Sequence, residues 1–280
     1  MKLSSIFLAT LAPLALASDG CLNENFDHDP LGITPTMSRR ALTDLRTRDI
    51  AGIDLYIHVL VAKNPTEDFG PSINKQLQFL NGKFNKWGYN FNLRLTTYVI
   101  SPEWAKDIDV DKTNKMRTLH KGDYQTLNVY MVESAGGGVC SLPDSSGNPV
   151  DQDRLDFDGC FIPLSVGRSP NSGTLAHEIG HWLGLLHTFQ GGCTGNGDYC
   201  DDTAPQEGPS YGKMAKPNDL QSCPAKETCG AGKGFQNIKN FMDYTDCSQE
   251  FTPCQGGRMA HSWNVLRKGR KLAAGVKVKW

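Results

Sequence analysis

His177 and His181 stand four residues apart, Glu178 follows the first of them, and His187 comes six residues after the second, with Gly184 between. No other stretch narrows so far what this chain can fold into. Residues four apart on a helix share one face, a turn apart and rotated by about 40°. Two imidazoles so placed can hold one metal ion, and zinc takes nitrogen ligands of this kind. Glu178 sits beside the pair, placed as the general base for a metal-activated water. A helix continued to His187 would carry that side chain about 240° round the axis, off the metal face. The spacing therefore predicts a helix end between His181 and His187. Gly184 stands where a left-handed turn is needed, which glycine adopts without steric cost. Three histidines and one water make an open, catalytic site rather than a closed structural one. At this chain's residue frequencies, H-E-x-x-H-x-x-G-x-x-H arises by chance in about one chain in 10⁵.

The other histidines differ. His58 lies in an apolar strand and reads as a packed core residue, and His28, His120 and His261 have no partners at ligand spacing. Trp182, Leu183, Leu185 and Leu186 are expected to seat the metal helix on the core.

A net charge of −1 over 280 residues lacks the basic footprint of a nucleic-acid binder. The apolar run from Leu3 to Leu16 follows Lys2 and ends in Ala15-Leu16-Ala17. That pattern predicts a secretory signal peptide, and the run is too short for a membrane span of about 20 residues. Nine cysteines suit disulfides in a secreted chain. Eight lie after residue 130 and Cys21 stands alone; their connectivity is open. Residues 19–48 carry Arg39-Arg40 and Arg46-Thr47-Arg48, the order expected of a prosegment cut at basic sites.

Apolar patterning predicts strands over 53–62, 91–100, 127–132 and 160–164, and a helix over 72–88 stopped by Gly88. Gly136-Gly137-Gly138 follows the third strand. Strands and helices in this order describe an α/β layer. Past residue 190 the chain is rich in Gly, Pro and Cys, with a last helix expected around 255–269.

The zinc motif followed by a methionine turn in NFMDY (240–244) resembles the metzincin metalloproteases. HEIGHWLGLLHTFQGGC, GDYCDDTAPQ, NFMDYTDC and FTPCQGGRM narrow the resemblance to the pappalysin family, within it the secreted fungal-type extracellular metalloproteases. These matches span about residues 170–262. The resemblance implies a zincin fold: a mostly parallel twisted sheet, an active-site helix and an irregular, disulfide-rich C-terminal subdomain. Its implied division is a signal peptide at 1–18, a prosegment at 19–48 and a catalytic domain at 49–280. The catalytic domain would divide into an upper part, 49–187, and a lower part, 188–280. His177, His181 and His187 would bind zinc, Glu178 would be the general base, Met242 would floor the site, and Tyr244 would stabilise the oxyanion. Cys223–Cys247 and Cys193–Cys229 are the family's bridges, which leaves Cys140–Cys160 and Cys200–Cys254.

Asp198, Asp201, Asp202 and Thr203 crowd oxygen ligands into one loop, a candidate calcium site. Cys21 is a candidate latency thiol, since zinc binds thiolate, although its flanking residues match no familiar switch. Asp246, just before Cys247, suggests a preference for a basic side chain after the cut. The expected function is secreted zinc-dependent endopeptidase activity on proteins or peptides, by a monomer with neither nucleic-acid partner nor membrane span. A catalytically silent binding protein of the same fold and a zinc hydrolase for small amides are the rivals; an intact Glu178 disfavours the first.

Overall fold

The computed structural model describes residues 28–45, 51–65, 68–169, 172–211 and 223–280. The expected signal peptide and Cys21 lie outside the described residues. In chain order the elements are α1 (Pro35–Leu45), β1 (Ala51–Val61), α2 (Gly70–Phe84), β2 (Tyr89–Ile100), α3 (Pro102–Lys106), α4 (Lys112–Leu119) and β3 (Leu127–Val132). They continue with β4 (Val139–Cys140), α5 (Gln152–Asp156), β5 (Cys160–Pro163), α6 (Leu164–Arg168), α7 (Gly173–Trp182) and α8 (Pro253–Ser262). A 3₁₀ turn at Asn85–Trp87 extends α2, and Gly88 ends it at φ +81°. A π-helical turn at Trp263–Arg267 extends α8.

The sheet runs β2-β1-β3-β5-β4, with every neighbouring pair parallel except β4 against β5. β1 and β3 are flanked on both sides, and β3 is buried along its whole length, the signature of a parallel strand covered on both faces. The main core packs β1 and β3 against α2, α7 and α8. Phe84, Phe241, Phe251 and Trp263 belong to it, so the irregular C-terminal half is tied to the sheet through aromatic packing. His58 lies in this framework as a core residue. It stacks on Tyr130, bonds Thr97 at 2.8 Å and Asn128 at 3.1 Å, and burial lowers its pKa to about 4.

Both ends of the described chain cross between its halves. The 28–45 segment packs on α8. The tail returns to the upper part, where Leu272, Val276 and Val278 pack against Tyr124, Val150 and Leu155.

Three disulfides join Cys140 to Cys160, Cys193 to Cys229 and Cys223 to Cys247. The first links directly paired residues of β4 and β5. The expected Cys200–Cys254 bridge is not formed. Both are buried free thiols in mutual contact. Their segments are joined instead by the Cys254 N–H, which donates to Asp202 Oδ2 at 2.9 Å.

Candidate metal centre and active site

Ser172 caps α7, its hydroxyl accepting the Thr174 N–H at 3.3 Å. Every residue from Leu175 to Trp182 is buried. A helix covered all round cannot wander, so its side chains point to fixed places. Gly180 admits Met242 beneath the helix, because a Cβ there would lie 2.5 Å from the Met242 sulfur.

The helix stops where the histidine spacing requires. Gly184 has φ +93°, its N–H donates to His181 O at 2.8 Å, and the Leu185 N–H donates to Gly180 O at 2.9 Å. These two bonds make a Schellman turn, which satisfies carbonyls that the helix end would leave bare. The chain reverses and brings His187 back. His181 Nε2 then lies 3.1 Å from His177 Nε2 and 3.1 Å from His187 Nε2.

The opposite ring nitrogens are anchored. His177 Nδ1 donates to Phe241 O at 2.5 Å, and His181 Nδ1 donates to Leu185 O at 2.9 Å. A carbonyl can only accept, so the proton sits on Nδ1 and the Nε2 lone pair faces the cluster. Burial lowers the pKa of His177 to about 4 and of His181 to about 3, which keeps both rings in the neutral, ligating form. Lone pairs from neutral imidazoles converging this closely repel unless a cation lies between them. The donor set fits zinc, three imidazole nitrogens with a fourth position open.

Glu178 is fully buried beside this cluster. Gly138, at φ +129°, lies directly over its carboxylate, and a Cβ there would come within 2.5 Å of Glu178 Oε1. The Cys140–Cys160 bridge two residues on fixes this rim. Gly138→Ala is expected to push the carboxylate aside and lower kcat by about 10²-fold, because displacement by an ångström is costly to proton transfer. At φ +129° an alanine is also strained whatever the space, so the melting temperature should fall too, and kcat is read on the folded fraction. A variant that melts near wild type and keeps wild-type kcat would refute the placement.

Tyr244 is half-buried, with its hydroxyl 3.2 Å from His187 Nε2. Its ring packs on Phe189, which itself stacks on His187 at 4.6 Å and 9°. A cavity of about 350 Å³ opens beside it, walled by Phe189, Gly192, Glu207 and Tyr211. Met242 is fully buried, its N–H held by Asn240 Oδ1 at 2.8 Å, and its carbonyl accepts the Thr188 N–H at 3.1 Å.

The acidic loop is not gathered in the same way. Asp198 is buried and accepts from Thr203 Oγ1 at 2.6 Å and from the Cys200 N–H at 3.1 Å. Burial raises its pKa to about 6. Asp202 turns to α8, and Asp201 pairs with Arg39 at 2.7 Å on the surface. Among the described residues these three carboxylates do not gather into one cluster. Asp246 is exposed beside the Cys223–Cys247 bridge.

Phe189, Asn240 and Gly138 join the site without having been singled out from the sequence. The Gly136-Gly137-Gly138 run was the one local signal for Gly138; Phe189 and Asn240 lie inside HEIGHWLGLLHTFQGGC and NFMDY, which gave them no role of their own.

A helix carrying two histidine ligands, ended by glycine above a methionine turn and set on a mostly parallel sheet, defines a metzincin zinc metalloprotease. The chain belongs to the pappalysin family: the family profile Peptidase_M43, Pregnancy-associated plasma protein-A, matches residues 111–264. Extracellular metalloprotease 1 of Coccidioides posadasii is 37% identical over 78% of this chain and 79% of its own. An extracellular metalloprotease of Colletotrichum graminicola is 35% identical over 95% of this chain and its whole length, 100%. Among solved structures, Tannerella forsythia mature mirolysin in complex with a cleaved peptide superposes with TM-score 0.60 at 20% identity, covering 78% of this chain and 96% of that one. That last likeness is one of fold.

Proposed function

We propose that this chain is a secreted zinc endopeptidase in which Glu178 moves the proton and Tyr244 steadies the developing oxyanion. The observation that carries the reading is the convergence of three histidine Nε2 atoms, with 3.1 Å steps between them, next to the Glu178 carboxylate. Zinc bound by His177, His181 and His187 supplies Lewis-acid polarisation of water and of the scissile carbonyl. Glu178 accepts the proton released by the attacking water and hands it to the departing amine. Its burial beneath Gly138 keeps the carboxylate from being solvated away. Tyr244 donates a hydrogen bond from its hydroxyl to the carbonyl oxygen as charge develops there. Met242 holds the floor beneath α7. β4 is the sheet's edge, free on one side, and an extended peptide can add to it as a further strand. Among the described residues no helix is long and apolar enough to cross a membrane.

Tyr244→Phe keeps the ring packing and removes only the hydroxyl. It is expected to lower kcat by about 10²-fold with KM little changed, as loss of an oxyanion donor does. Unchanged kcat would remove Tyr244 from the chemistry. Casein incubated with the wild-type protein is expected to be cut at internal bonds. A chelator should stop the cutting and added zinc restore it. Cleavage that survives complete metal removal would refute the function, and hydrolysis restricted to short peptides would favour a small-amide hydrolase.

A further inference from the structure

The polar segment that reads as a removable leader is built into the support of the zinc site. Asp29 pairs with Arg258 of α8 through both carboxylate oxygens, one contact being 2.8 Å from Nη2. Arg258 is fully buried, and its Nε donates to Gly184 O at 2.7 Å. The cation thus caps the carbonyl-rich end of α7, where the helix dipole favours positive charge. Leu31 reaches the same turn, since a Cβ on Gly184 would lie 2.9 Å from Leu31 Cδ1. Leu31 and Ile33 bury themselves with Leu266.

Gly257 is an independent sign. A glycine within a helix costs about 1 kcal/mol against alanine. Here it admits the backbone of α1, because a Cβ at 257 would lie 2.1 Å from Ser38 O. α8 is shaped for a helix that stays. The Arg39-Arg40 bond lies within α1, which is docked on α8, rather than in an exposed loop tip where processing proteases cut.

We propose that residues 28–45 remain in the active enzyme, with Asp29 a positioning residue that neutralises Arg258 and so fixes the Gly184 turn that delivers His187. The positioning role rests on the reading of His187 as a ligand; retention of the segment does not. Removing the segment would leave Arg258 without its carboxylate and α8 with an uncovered glycine face.

Mass spectrometry of the folded secreted protein under denaturing conditions decides retention, whether or not the protein cleaves anything. Residues 28–45 are expected in equimolar amount. Folded protein that starts at or after Asp49 and lacks them overturns the proposal. For the positioning role, Asp29→Ala, Asp29→Glu and Arg39→Ala are compared in the full chain. Asp29→Ala is expected to surrender zinc to a chelator about tenfold faster, as loss of outer hydrogen bonds at metal sites does, and to lose kcat rather than gain KM. Asp29→Glu should recover most of both. Arg39→Ala, which breaks only exposed contacts, with Asp201 and Thr36, should match wild type. Wild-type zinc release and kcat in Asp29→Ala would refute the positioning role. Should Asp29→Ala fail to fold, Asp29→Asn is read in its place, and wild-type zinc release and kcat in that variant would refute the positioning role.

Discussion

Glu178→Ala is expected to lower kcat on a peptide substrate by about 10³-fold, roughly 4 kcal/mol of transition-state stabilisation. The geometry separates this effect from loss of the metal. The ligands are oriented by Phe241 O and Leu185 O and by the Gly184 turn, none of which involves the Glu178 side chain. The variant should therefore fold, hold zinc and bind substrate with nearly unchanged KM, since the proton transfer is made only in the transition state. Steady-state kinetics alongside metal content check it. A fall in kcat explained entirely by lost zinc would show that Glu178 supports the ligands instead.

The second large effect is on stability. Asp158→Ala is expected to destabilise the fold by about 3–5 kcal/mol, the cost of leaving a buried cation unpaired. Asp158 Oδ2 accepts from Trp182 Nε1 at 2.8 Å and Arg267 Nη1 at 2.9 Å, and Oδ1 accepts from Arg267 Nη2 at 3.0 Å and Ser141 Oγ at 2.7 Å. Arg267 is fully buried, lies over the Trp182 ring with its guanidinium carbon 3.8 Å from the centroid, and donates through Nε to Trp182 O at 2.8 Å. Two buried arginines thus hold carbonyls two residues apart at the end of the zinc helix, Arg267 at Trp182 and Arg258 at Gly184. For a chain of this size the melting temperature should drop by about 6–10 °C. Adding Arg267→Met should recover part of the loss, because the stranded charge goes with it. A loss below about 1 kcal/mol in urea unfolding would mean that solvent reaches Arg267 in the variant.

Much of the site was legible because its signals are local. Helical spacing placed His177 and His181 on one face, and the mismatch at His187 required the turn that Gly184 makes at φ +93°. Apolar runs located β1, β3 and β5, since a buried parallel strand needs a continuous apolar stretch, and alternation located β2, the partly exposed edge strand. The supports of the site were not legible. Asp29 and Arg258 are 229 residues apart, and Asp158 and Arg267 are 109 apart, so no pattern within a helix or strand joins them. Each looks alone like an ordinary surface charge. The packing of the 28–45 segment is hidden in the same way: its two arginines are balanced by two aspartates, and what it buries becomes visible only against α8. The acidic loop errs in the opposite direction. Its composition crowds carboxylates together, while the fold turns Asp198, Asp201 and Asp202 toward separate partners.

Zinc content and casein turnover measured on the same samples of wild type and Glu178→Ala test the account most directly. It predicts one zinc per chain in both proteins, with turnover in the wild type alone. Turnover by Glu178→Ala within tenfold of wild type, or a fully active wild type without zinc, would contradict it.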